Sequence, residues 1–167
     1  MCTSAFSPVL SVLLSIANIL QYDTLTQMMT SVALSAMRAA GLKETLPRRA
    51  VVEALATLSK PATPAQIAAT TAKRKTPVNL VTVYRIVEAL EPLGIVHRHP
   101  CSGAFSLCQL DSVAGHHGFL HCHDCGKTEE FQSEELCSLE KSIAGRAGFL
   151  SQSHVAEIVG VCRHCRS

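Results

Sequence analysis

The stretches CHDC (residues 122–125) and CRHC (residues 162–165) are the strongest structural signal in this sequence. Each is a Cys-x-x-Cys pair, and both lie in the last third of the sequence. A two-residue spacer lets both sulfurs of a pair reach one ion at about 2.3 Å, so two such pairs suit a single tetrahedral Zn²⁺. The sequence therefore predicts one closed structural zinc site formed by Cys122, Cys125, Cys162 and Cys165.

The remaining soft metal ligands crowd into the same part of the chain. All eight histidines and seven of the eight cysteines lie beyond residue 96. Paired Cys-x-x-Cys spacing with neighbouring histidines favours metal binding in a reducing compartment over a secreted disulfide scaffold. We therefore expect a cytoplasmic, metal-binding protein.

Charge divides the chain into two halves. Residues 29–100 carry ten Lys and Arg against four acidic residues, whereas residues 101–167 carry five against eight. This asymmetry predicts a basic module that binds a polyanion, joined to an acidic module that binds metal.

The N-terminus begins with an apolar run, Val9–Leu20, of twelve uncharged residues. It is too short to span a bilayer, and without Lys or Arg before Arg38 it lacks the basic region of a signal peptide. We interpret residues 1–28 as an extra apolar helix, or as sequence upstream of a true start at Met28 or Met29, and expect no membrane association.

The order of predicted elements up to residue 110 is that of a winged helix-turn-helix. Thr63 and Gln66 form a capping-box pattern that opens a short helix, and Asn79 begins the next. We predict helices over residues 31–40, 46–58, 64–72 and 79–90, followed by strands over 95–99 and 104–110.

Beyond residue 111 the pattern changes to a smaller α/β unit. Strands are predicted over 118–122, 128–132 and 155–161, with a helix over 133–147 that Ser133 caps. The fold class is therefore α+β. We predict an apolar extension (1–28), a DNA-binding domain (29–110), a hinge (111–117) and a metal-binding dimerisation domain (118–167).

The helix that follows the basic turn is the candidate reader of DNA. Its first residues would face base edges in the major groove, where Arg85 can pair with guanine and Tyr84 can contact a thymine methyl or a phosphate. A Lys-Arg-Lys run is by itself often only a solvated loop, but here it precedes this helix and a wing. The predicted DNA-binding residues are Asn79, Thr82, Tyr84, Arg85, Lys73, Arg74, Lys75 and Arg98.

Three stretches carry a resemblance to a known family. LKETLPR (42–48), TVYR (82–85) and HHGFLHCHDCG (116–126) are similar, in order and spacing, to motifs of the ferric uptake regulator family. The resemblance covers roughly residues 31–167. It implies a homodimeric, metal-dependent transcriptional repressor, not an enzyme, whose C-terminal domain dimerises and whose dimer binds a palindromic double-stranded operator.

The same resemblance implies a regulatory metal site between the two domains. The positions that match its ligands are His97, Cys108, His117 and Glu130, and the choice between His116 and His117 stays open. One thiolate, two imidazoles and one carboxylate suit tetrahedral Zn²⁺ better than six-coordinate iron or manganese. Cys108 resembles the zinc-uptake-regulator branch in particular, although a buried strand cysteine with no metal is the alternative.

A third zinc site is a weaker expectation. His116, Cys137 and His154 match the auxiliary site of the family, but Gly118 and Phe119 stand where iron- and peroxide-sensing members carry ligands. Otherwise Cys137 is a helix core residue. We treat the remaining histidines, at positions 99, 121, 123 and 164, as solvated or as neighbours of the ligands.

The sequence thus predicts a repressor of zinc-uptake genes with at least one structural and one regulatory zinc per subunit. Two rival interpretations remain. One is the same fold sensing iron, manganese or nickel. The other is a thiol-redox or zinc protein that does not bind DNA, but both Cys-x-x-Cys pairs are needed for one closed site and no nucleophile stands beside a base.

Overall fold

A computed structural model describes residues 8–109, 117–150 and 155–166 of the 167-residue chain, with side chains from residue 23 onward. The N-terminal part contains α1 (Pro8–Ala39), α2 (Leu46–Thr57), α3 (Pro64–Lys73), α4 (Leu80–Leu90), a 3₁₀ turn (Glu91–Leu93), β1 (Val96–Arg98) and β2 (Phe105–Leu107). The C-terminal part contains β3 (His117–Cys122), β4 (Thr128–Gln132), α5 (Glu134–Arg146) and β5 (Ala156–Gly160).

The hydrophobic core lies among the four N-terminal helices and the wing. It takes Met37 from α1, Val51 from α2, Ile67 from α3, Val83 from α4 and Phe105 from β2, none more than 1 % exposed. In α4 the buried positions follow the spacing 83, 86, 87 and 90, which is one face of a helix. The opposite face of α4 is therefore left to solvent.

Side-chain caps fix where α3 and α4 begin. The predicted capping box is confirmed, since Thr63 accepts from the Gln66 N–H while the Gln66 side chain accepts from the Thr63 N–H. Asn79 caps α4 by accepting from the Thr82 N–H at 2.8 Å. Buried Thr71 holds the turn between these helices, because its Oγ1 accepts from the Val78 N–H at 3.1 Å.

The wing is the antiparallel hairpin β1–β2, with His97 opposite Ser106. Ala62, just before α3, exchanges two backbone hydrogen bonds with Phe105 and so fixes the wing to the helical core. These two bonds join the wing to the helical core.

The C-terminal sheet has the strand order β4-β3-β5. Strand β3 is antiparallel to β4 and parallel to β5, with Cys122 opposite Gly160. Parallel strands end at the same edge of a sheet. The segments that follow β3 and β5 are consequently neighbours.

The α+β class and the predicted order of helices and strands are confirmed. The largest difference is α1, which does not start at residue 31 but continues back to Pro8 through the apolar run. Strands β1, β2 and β5 are shorter at their ends than predicted, and β3 starts at His117, inside the range expected to be the hinge. The rest of the predicted hinge, residues 111–116, lies outside the described residues.

Across the described residues, no helix combines the length and the apolar character needed to cross a membrane.

Candidate metal centres and nucleic-acid interface

The parallel pairing of β3 and β5 brings the two Cys-x-x-Cys pairs together. The ligand atoms of Cys122, Cys125, Cys162 and Cys165 all lie within 4.8 Å of one another. Cys162 Sγ is 3.8 Å from Cys125 Sγ and 3.6 Å from Cys165 Sγ. Four sulfurs held about 2.3 Å from one tetrahedral ion lie about 3.8 Å apart, so the donor set fits Zn²⁺.

Backbone hydrogen bonds prepare this cluster to hold an anion. Backbone N–H groups of Cys125 and Cys162 lower the pKa of the Cys122 thiol to about 6. The Cys162 N–H donates to Cys122 Sγ, with 3.3 Å between nitrogen and sulfur. Hydrogen bonds to the neighbouring Cys162 and Cys125 thiols raise the pKa of Cys165 to about 12. The backbone N–H groups therefore stabilise a thiolate at Cys122, which favours a cation at this position.

The second cluster joins the wing to the C-terminal sheet. Its members are the four residues that the family resemblance implied: His97 on β1, Cys108 just after β2, His117 on β3 and Glu130 on β4. Glu130 Oε1 is 3.0 Å from His97 Nε2 and 3.8 Å from Cys108 Sγ, and His117 Nδ1 also contacts it. Cys108 Sγ is 4.0 Å from His117 Nδ1.

The two separations from Cys108 Sγ are close to what one ion would require, whereas Glu130 lies nearer to the two imidazoles. Ligand atoms at about 2.0–2.3 Å from a tetrahedral ion lie roughly 3.3–3.8 Å from each other. His97 Nε2 is buried and has no well-aligned hydrogen bond among the described residues, although it points at Glu130. Two imidazole nitrogens, a thiol and a carboxylate thus converge on one point, and this set fits Zn²⁺.

Glu130 is the acidic centre of this cluster, with a side chain only 3 % exposed. Burial alone would raise the pKa of Glu130. The His97 imidazole beside it and the hydrogen bond from the Gln109 N–H at 2.8 Å nevertheless hold the pKa of Glu130 below its ordinary value. The carboxylate therefore stays ionised between the two domains.

Two of the three residues proposed for an auxiliary site, His116 and His154, lie outside the described residues. Cys137 lies on α5 and is half-buried. A Cβ at position 118 would lie 2.3 Å from the Phe131 ring, so that ring fills the space over Gly118. A larger side chain at this position would require Phe131 to move.

Helix α4 presents its exposed face at its N-terminal end. Tyr84 is 44 % exposed and Arg85 is exposed, whereas Thr82 is half-buried and the Oδ1 of Asn79 is used by the cap. Sequence reasoning missed Val81, which is 61 % exposed and lies off the buried stripe of the helix. An apolar side chain there suits contact with a thymine methyl group.

The basic residues predicted to contact phosphates are not equivalent. Lys73 and Lys75 are exposed. Arg74 pairs with Glu53 at 3.3 Å, and Arg98 pairs with Glu91 at 3.2 Å while lying over the Phe105 ring. The two lysines are therefore the more available charges.

Removing one sulfur of the four-cysteine cluster is expected to unfold the C-terminal sheet. Structural zinc contributes about 10–16 kcal/mol in zinc-finger peptides, as much as the whole stability of a small domain. Cys162→Ala should lose one zinc per subunit, measured by elemental analysis, together with strand signal in circular dichroism. Exposed Cys101→Ser is the control, and a folded sheet in Cys162→Ala without that zinc would contradict the assignment.

Comparison with known proteins places the chain in a family. The model of the ferric uptake regulator family matches residues 39–159. The ferric uptake regulation protein of Legionella pneumophila is 36 % identical over 131 residues, covering 78 % of this chain and 96 % of that protein. Its counterpart in Escherichia coli K12 is 33 % identical over 132 residues, covering 77 % and 86 %.

Solved structures share the fold. A zinc uptake regulator complexed with zinc and DNA superimposes with a TM-score of 0.77 at 21 % identity, covering 84 % of this chain and 95 % of that one. The holo form of a protein named XcZur superimposes with a TM-score of 0.73 at 26 % identity, covering 84 % and 98 %. The chain therefore belongs to the ferric uptake regulator family of metal-responsive transcriptional regulators.

Proposed function

We propose that this chain is a zinc-responsive repressor of the zinc-uptake-regulator branch, which binds a palindromic operator as a zinc-loaded homodimer. The observation that carries the proposal is the position of Cys108, whose Sγ lies 3.8 Å from Glu130 in the cluster shared by both domains. A thiolate with two imidazoles and a carboxylate favours Zn²⁺ over metals that prefer six oxygen and nitrogen ligands.

The proposed switch is the angle between the two domains. When bound, zinc supplies a divalent charge and a tetrahedral geometry that ligands from both domains share. His97 and Cys108 fix the wing, while His117 and Glu130 fix the sheet, so the four side chains together select one interdomain arrangement. A ligand shifts such an equilibrium only by its differential affinity for the two arrangements.

DNA would be read by α4 in the dimer. In a helix-turn-helix dimer the separation of the two recognition helices must match the spacing of the operator half-sites. The exposed Tyr84, Arg85 and Val81 supply groups for base edges, and Lys73 and Lys75 supply phosphate contacts. The structural neighbour that was solved with zinc and DNA supports this use of the fold.

The second subunit would cover apolar surface on the C-terminal domain. Leu120 and Ile158 are opposite each other on β3 and β5, and they are 42 % and 55 % exposed. On α5, Leu139 and Ile143 are 54 % and 50 % exposed and lie one helical turn apart. Apolar surface of this kind on a small domain is typical of a protein–protein interface.

Several further expectations are retained as part of this proposal. They are the domain bounds 1–28, 29–110, 111–117 and 118–167, a cytoplasmic location, and the auxiliary zinc site of His116, Cys137 and His154. The alternative metal is iron, because the curated relatives at 33–36 % identity are named ferric uptake regulation proteins. Cys108 in the ligand cluster argues against that alternative.

Cys108→Ser tests which metal the protein senses. Loss of a residue that hydrogen-bonds to a metal ligand typically weakens metal binding about 10–100-fold. Loss of the thiolate ligand itself should therefore raise the free zinc needed for DNA binding by more than about 100-fold. DNA binding is measured by fluorescence anisotropy in zinc-, iron- and manganese-buffered solutions, with Cys101→Ser as the control. Two results would contradict the proposal. One is a zinc response of Cys108→Ser equal to that of the wild type, and the other is DNA binding by the wild type at lower free iron than free zinc.

Arg85→Ala tests the DNA-reading face. A bidentate arginine–guanine contact contributes about 1–3 kcal/mol of discrimination, so the variant should bind the operator about 5- to 150-fold more weakly and discriminate less between operator and random DNA. Lys141→Ala removes an exposed positive charge from α5 and should bind nearly as wild type does. Equal losses in both variants would indicate only nonspecific charge.

A further inference from the structure

The wing contacts the C-terminal sheet at a second place, outside the metal cluster. His99 follows β1, is 1 % exposed, and places Nδ1 3.5 Å from Oε1 of Glu157 on β5. Its Nε2 is 2.8 Å from Ser106 Oγ, on the other strand of the wing. The other carboxylate oxygen of Glu157 accepts from the Cys101 N–H at 3.0 Å.

This contact exists only when the two domains meet as they do here. Glu157 lies on the outer strand β5, whereas His99 and Cys101 belong to the wing. In this arrangement the Glu157 side chain is only 3 % exposed, and the His99 ring packs 4.5 Å from the Phe119 ring of β3. A buried carboxylate needs polar partners, so a displaced wing would leave Glu157 to water or without hydrogen bonds.

The contact is also coupled to the metal ligands through the backbone. His99 is two residues from His97, and Ser106 is two residues from Cys108, on the same hairpin. Position 157 is opposite Phe119 on β3, the strand that begins with His117. Holding His99 against Glu157 therefore places ligands of both domains opposite one another.

We propose that His99, Glu157 and the Cys101 N–H form an interdomain clasp that positions the wing for metal binding without itself binding metal. The clasp raises the fraction of molecules whose four metal ligands already converge. Apparent affinity is the intrinsic affinity multiplied by the fraction of molecules that is competent, so the clasp tightens metal binding without changing the ligand set. This consequence for regulation rests on the proposed function, but the clasp itself does not.

Amide hydrogen exchange of residues 95–107 tests the clasp directly, in protein that carries only the structural zinc. Glu157→Ala should speed exchange of the Cys101 amide by about tenfold or more, because its acceptor is lost, while the amides bonded within the hairpin change less. Glu157→Gln should retain most of the protection, since its amide can accept from the Cys101 N–H and donate to His99. The control is Glu129→Ala, which removes an exposed glutamate from the same sheet.

Unchanged wing exchange in Glu157→Ala would overturn the proposal. Should that variant lose its structural zinc, His99→Leu tests the same clasp from the other domain and should also speed exchange of the Cys101 amide. Unchanged exchange in His99→Leu would likewise overturn it.

A second readout separates positioning from a merely structural role. Competition with a chromophoric chelator should show regulatory zinc binding weakened about five- to tenfold in Glu157→Ala, while DNA affinity at saturating zinc stays near wild type. Equal zinc affinity in both proteins would overturn the positioning role. Absence of a regulatory zinc in the wild type would instead refute the proposed function, while hydrogen exchange would still decide the clasp.

Discussion

The Glu130 carboxylate, buried between the wing and the C-terminal sheet, is the constraint on which the interdomain arrangement depends. A buried negative charge is tolerated only when hydrogen bonds or a cation compensate it. Here the compensation comes from both domains, through His97 and the Gln109 N–H on one side and His117 on the other. Because these partners belong to two domains, the Glu130 carboxylate keeps all of them only when the domains are oriented as they are here.

Strand β3 links the two candidate metal sites. His117 at its start faces Glu130, and Cys122 at its end belongs to the four-cysteine cluster. The antiparallel β4 delivers Glu130, and the parallel β5 delivers the second cysteine pair and Glu157. A metal ion in the cysteine cluster would therefore stabilise the strands that present the members of the second cluster.

Local patterns in the sequence predicted much of this architecture. The Thr63–Gln66 capping box and the Cys-x-x-Cys spacing each depend on residues a few positions apart. The clasp between His99 and Glu157 joins positions 58 residues apart, and the Phe131 ring over Gly118 depends on strand register. Neither has a local pattern in the sequence. The ion pair of Arg98 with Glu91 was also not predicted, because the positive charge of Arg98 indicated a phosphate contact instead. The four members of the second cluster were predicted from the family resemblance, since their spacing alone matches no short motif.

Zinc K-edge X-ray absorption, recorded on protein loaded with one and then two equivalents of zinc, tests the bridging site most directly. The first ion should show four sulfurs at about 2.3 Å, and the difference spectrum for the second should show one sulfur at about 2.3 Å with three nitrogen or oxygen atoms at about 2.0–2.1 Å. A second ion with no sulfur ligand would contradict the placement of Cys108, and with it the proposal that one zinc ion joins the wing to the sheet.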